Sequence, residues 1–250
     1  MLPDAISSLT ALLIILASFL ASMLTAAVGI GGGLALLAIM TALLPPLTVI
    51  PVHAVAQWGS NGSRFVLLAK DTYWPIIAWF ALGSLLGAAI GGQLYVQLPE
   101  RLLKLGIASF ILYSVWGPKP KSFTPGKTTF VSTGAISTFL TMFFGATGPI
   151  VASMMATTSL NRTQIVATHA AAMVCQHGIK AATFGVLGFA FEDWLGLIAG
   201  IVAAGFAGAW VGTRILKRTP EERFQKIFRA VLTTFAAYLV LTSLVAGRQS

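Results

Sequence analysis

Charge is what this chain has least of. Only 9% of its 250 residues are charged, where a soluble domain carries roughly a quarter. Hydrophobic residues make up 56% and the mean hydropathy is +0.86, so a soluble globular domain is excluded and an integral membrane protein is expected. Acids are scarcest of all. The seven carboxylates, Asp4, Asp71, Glu100, Glu192, Asp193, Glu221 and Glu222, all fall in predicted loops or at helix ends. Carboxylate cation sites and proton relays need an acid inside the membrane, and no predicted span has one. The single cysteine, Cys175, allows no intramolecular disulfide and reads as a small buried hydrophobe. The three histidines, His53, His169 and His177, show neither HxxxH nor HExxH spacing, so no metal site and no cofactor are expected. No nucleophile–base–acid set is present either, which argues against an enzyme. Alternating strand patterns are missing, which argues against a β-barrel.

What is present is a series of apolar stretches near the 20 residues needed to cross about 30 Å of hydrocarbon. Five elements make up each half: 5–28, 34–44, 52–69, 73–97 and 101–117, then 128–146, 149–159, 164–186, 194–214 and 222–246. The first has no basic n-region and reads as a retained span rather than a signal peptide. The second element of each half is about eleven residues long, about 16 Å as a helix, and is either a thin crossing or a re-entrant segment. The expected fold is therefore all-α and polytopic, with about eight to ten membrane segments. Residues 1–117 form a first membrane repeat, 118–127 a linker, and 128–250 a second repeat.

The repeat is written in the residues. Gly29, Gly32, His53, Gly62 and Arg64 recur 116 positions later as Gly145, Gly148, His169, Gly178 and Lys180. Further on, Gly87, Gly91 and Pro99-Glu100 recur at an offset of 121 as Gly208, Gly212 and Pro220-Glu221. An odd number of crossings per half inverts the second copy relative to the first. Loops on one side carry Lys70, Lys119, Lys121, Lys127, Arg162, Arg214, Lys217, Arg218, Arg223 and Lys226; the other side carries Arg101, Lys104 and Arg248. The basic side is cytoplasmic by the positive-inside rule, which puts both termini outside an inner (plasma) membrane and the linker in the cytoplasm. The net charge of +9 is thus a topology signal, and no nucleic-acid partner is expected.

Polar residues within the spans share one helical face. His53, Gln57, Asn61 and Arg64 recur at intervals of three or four, as do His169, Gln176, His177 and Lys180, with Met173 in place of Gln57. A cation inside the membrane costs about 2.5–3.5 kcal/mol on insertion scales. Two at equivalent positions, without acidic partners, suggest that the counter-ion is an anionic substrate; snorkelling to the headgroups is the competing reading. The glycine clusters, with Gly31, Gly32 and Gly33 in one copy and Thr147, Gly148 and Pro149 in the other, read as helix breaks whose following turns offer backbone donors to an anion. Gly83, Gly87 and Gly91, with Gly200, Gly208 and Gly212, read as packing faces. Such a face permits a homodimer.

Glycine cluster, histidine helix and duplication together resemble the TauE/SafE family, described as exporters or permeases of sulfite, sulfoacetate and related sulfonates. The resemblance covers nearly the whole chain and implies a small, sulfur-containing anionic substrate. Met173 for Gln57 and Pro149 for Gly33 make the half-sites unequal, which suits a substrate with two different ends. The resulting expectation is a lipid-embedded exporter of sulfite or an organosulfonate working by alternating access. Uptake by the same architecture, an anion channel and, at a distance, a histidine-dependent membrane enzyme are the alternatives.

Overall fold

The computed structural model describes residues 6–28, 32–95, 100–117 and 125–215, together with 230, 233, 234, 236, 237, 240 and 241. Most of the expected tenth element, 222–246, lies outside them, as does Gly31. Among the described residues every element is helical: α1 (Ser8–Val28), α2 (Gly32–Leu43), α3 (Pro46–Leu68), α4 (Trp74–Tyr95), α5 (Glu100–Trp116), α6 (Lys127–Phe144), α7 (Gly148–Met155), α8 (Arg162–Val186) and α9 (Leu195–Ile215).

Among the described residues three helical stretches are long and apolar enough to cross a membrane, Ser8–Ala26, Trp74–Tyr95 and Phe191–Gly212. Their outer faces carry Leu9, Leu12, Leu16 and Leu20 on α1, Leu82, Leu86 and Ile90 on α4, and Phe206 and Trp210 on α9, all exposed. In water these rows would form an unfavourable apolar patch; in lipid they are at home. Helices α3 and α8 are as long, at 23 and 25 residues, but their polar faces lower their hydropathy. Those two helices pack against each other at the centre, with α1 against α9 on one flank and α4 against α6 on the other.

The flanks depend on close backbone approach. A Cβ on Gly87 would strike the carbonyl oxygen of Ala135, and one on Gly208 would strike that of Phe19. Gly212 likewise faces the Met23 carbonyl, while Gly91 packs first against the Met142 side chain, with the Phe139 carbonyl oxygen 3.2 Å from where its Cβ would sit. The glycines differ by 121 positions and their partners by 116, the same two intervals at which the sequence repeats.

Helix α3 starts earlier than expected. The sequence puts its beginning at 52, after Pro51, yet it runs from Pro46 with Pro51 inside. Pro46 occupies the first turn, where its missing N–H is no loss. Pro51 leaves the Leu47 carbonyl without its helical donor, and the Tyr95 hydroxyl donates to that oxygen at 3.3 Å. Helix α8 begins at a capping box: Asn161 Oδ1 accepts from the Gln164 N–H at 3.0 Å, and Gln164 Oε1 accepts from the Asn161 N–H at 3.2 Å.

Helices α2 and α7 are short, at 12 and 8 residues, about 18 and 12 Å at 1.5 Å per residue. A break at 145–147 precedes α7. Gly145 closes α6 with a φ of 80°, a left-handed conformation that glycine adopts without a steric penalty.

Candidate functional site

The centre of the molecule is polar. Along α3, Gln57, Asn61 and Arg64 lie at helical spacing; along α8, His169, Met173 and His177 do the same. With the first turns of α2 (Gly33, Leu34) and α7 (Gly148, Pro149), and with Thr25 and Ala146, they line a cavity of about 40 Å³.

One wall is a chain of hydrogen bonds. Arg64 Nη2 donates to Asn61 Oδ1 at 2.5 Å, and Asn61 Nδ2 donates to the Gln57 carbonyl at 2.8 Å and to Gln57 Oε1 at 3.4 Å. Asn61 is 2% exposed and Gln57 9%. The asparagine thus orients the guanidinium and is itself held by the preceding turn.

The histidines are tied to the short helices. His169 Nε2 donates to the Gly148 carbonyl at 3.1 Å, and His53 Nε2 donates to that of Gly33 at 3.0 Å. A carbonyl only accepts, so these contacts set the ring nitrogen that carries the proton. His177 stands edge-on to His53, with ring centroids 6.2 Å apart. His177 is buried and its Nδ1 has no hydrogen-bond partner. No carboxylate lines the cavity, and Asp71, Glu192 and Asp193 are exposed elsewhere. Among the described residues no three metal-binding side chains converge.

Of the residues singled out from the sequence, Gln57, Asn61, Arg64, His169, His177, Gly33 and Gly148 meet at this cavity. His53, Gln176, Lys180, Gly32 and Thr147 lie off its lining. Gln176 is fully buried: its Nε2 donates to Ser137 Oγ at 2.9 Å and Thr138 Oγ1 at 3.1 Å, and its Oε1 is 3.2 Å from Thr147 Oγ1. Lys180 is also fully buried, and Nζ donates to the Gly145 carbonyl at 2.9 Å and to Thr141 Oγ1 at 3.4 Å. A cation at a helix C-terminus is favoured by the macrodipole, which gives this ammonium a structural partner at the end of α6. Gly32 is pressed against the backbone of Ala21. Pure spacing puts His53, Gln176 and Lys180 on the polar faces with the rest; which part of each face meets the cavity depends on how the helices turn against their neighbours.

Three lining residues were not anticipated: Thr25, Leu34 and Ala146. The first had a signal, since Thr25 and Thr141 each stand four residues before the matched glycines Gly29 and Gly145.

A helical membrane protein with a small cation-bearing cavity at the meeting point of its two halves is the architecture of a membrane transporter rather than of a soluble binding module. The chain belongs to the sulfite exporter TauE/SafE family, whose model matches residues 14–239. No curated protein and no solved structure gives a match.

Proposed function

We propose that this protein exports sulfite by alternating access between two inverted repeats in the inner (plasma) membrane, with both termini outside. The observation that carries the reading is the cavity itself. Arg64, Asn61 and Gln57 come from the first half, His169 and His177 from the second, and the wall contains a cation and no carboxylate. The half-buried guanidinium of Arg64, held by Asn61 at the cavity wall, offers an entering anion a charged donor. The first turns of α2 and α7 add the positive ends of two helix dipoles.

The family model that matches the chain is that of sulfite exporters, and sulfite, with four non-hydrogen atoms against eight in sulfoacetate, is the more compact of the two anions. Export of an anion from a negative interior gains about 2.3 kcal/mol per charge per 100 mV, which drives the process without a coupled cation. The inverted repeat is supported by the matching glycine crossings of α4 on α6 and α9 on α1 and by the paired histidine contacts to α2 and α7.

The test is anion-dependent thermal stabilisation of the detergent-purified protein, because a ligand of the folded state raises its melting temperature by mass action. Sulfite should stabilise the wild type, sulfoacetate and simple carboxylates less, and Arg64→Ala should abolish the sulfite shift. If sulfite has no effect at millimolar concentration, or stabilises Arg64→Ala equally, the reading fails.

A further inference from the structure

The two ends of the cavity are chemically unequal, and the inequality has a direction. In each half one residue of the polar helix covers the first turn of the short helix. In the first half it is an amide: a Cβ on Gly33 would sit 2.9 Å from Gln57 Oε1. In the second it is a thioether: a Cβ on Gly148 would sit 3.7 Å from Met173 Sδ. Met173 takes the repeat position of Gln57, and Pro149 takes that of Gly33. The second end has therefore lost a side-chain amide and, since proline has no N–H, a backbone donor. His169 does not replace them with its Nε2–H, which is given to the Gly148 carbonyl at 3.1 Å.

We propose that Met173, seconded by Pro149, is the selectivity determinant of the site, admitting an anion whose oxygens cluster on one side and rejecting one with oxygens all round. The inference rests on the anion-transport reading above and deepens it. A pyramidal three-oxygen anion such as sulfite presents its oxygens to the Gln57 amide and to Arg64, which Asn61 holds in place, and turns its sulfur to the thioether. A tetrahedral four-oxygen anion such as sulfate, placed the same way, directs its fourth oxygen at Met173 and Pro149. That oxygen gives up its water and gains no donor from either residue, and an unmatched buried acceptor is penalised more heavily than a satisfied one is rewarded.

The experiment is a thermal-shift titration of purified protein with sulfite (in oxygen-free buffer), sulfate and methanesulfonate. Methanesulfonate matches sulfate in size but carries a methyl group where sulfate has its fourth oxygen. The wild type should bind sulfate at least about tenfold more weakly than sulfite, equivalent to about 1.4 kcal/mol, and methanesulfonate more tightly than sulfate. Met173→Gln should close most of the sulfite–sulfate gap, and Met173→Leu should leave it. Equal binding of sulfite and sulfate by the wild type overturns the proposal, as does rejection of methanesulfonate together with sulfate, which would make size the criterion. An unchanged gap in Met173→Gln overturns it too. The wild-type ratios decide even if that variant does not fold. Failure of sulfite to bind at all sinks the anion reading itself; sulfite binding lost in Arg64→Ala but without discrimination sinks only this inference.

Discussion

Replacing Lys180 by an apolar residue of its own length should cost little and leave anion binding intact, although its sequence position makes it the twin of Arg64. The ammonium makes two contacts, a good one to the Gly145 carbonyl at 2.9 Å and a long one to Thr141 Oγ1 at 3.4 Å. A hydrogen bond to a charged group contributes about 1.5–3 kcal/mol. Two facts reduce the loss here. Thr141 Oγ1 still donates to the Gly145 carbonyl at 2.9 Å, so that oxygen is not orphaned. The ammonium is fully buried, and removing a buried charge returns a desolvation penalty of several kcal/mol. Lys180→Met keeps the length and fills the space, so its net effect should lie within about 2 kcal/mol of zero. Lys180→Ala leaves a void and should cost about 2–5 kcal/mol, as other large-to-small core changes do. Melting in detergent, with and without sulfite, reads both quantities. A folded Lys180→Met that has lost the sulfite shift as completely as Arg64→Ala would refute the reasoning and return Lys180 to the binding site.

Three further outcomes follow from the helix contacts. Gly87→Val and Gly208→Val each drive a side chain into a facing carbonyl, of Ala135 and of Phe19; both should lower the melting temperature, and by similar amounts if the crossings are equivalent. Gly62 has open space where a methyl group would sit, with no neighbouring atom within 4 Å, so Gly62→Ala should raise stability by about 0.5–1 kcal/mol through helix propensity, read as a higher melting temperature. Tyr95→Phe removes the donor to the Leu47 carbonyl and should cost about 1 kcal/mol; Pro51→Ala in that background should restore part of it by supplying the missing helical N–H, as read by paired melting curves.

The helices were legible because apolar length and the glycine clusters mark them: α2 begins at Gly32 and α7 at Gly148, each within its cluster. The site was legible in part. Gln57, Asn61 and Arg64 stay together because a three-to-four spacing within one helix survives any packing. Lys180 and Gln176 could not be separated from them by spacing, since both are claimed by a hydroxyl row on α6, Ser137, Thr138 and Thr141, which no local rule connects to α8. Pro51 misled for a related reason. Its tolerance inside α3 depends on Tyr95, at the far end of α4. Leu34 and Ala146 are ordinary apolar residues until the start of α2 and the break before α7 bring them to the cavity.

The most direct test is sulfite efflux from proteoliposomes that contain the purified protein, loaded with sulfite and held under an inside-negative potential. Wild-type vesicles should lose sulfite far faster than protein-free ones, and Arg64→Ala vesicles should retain it. Retention by wild-type vesicles, or equal loss from Arg64→Ala vesicles, would contradict the account.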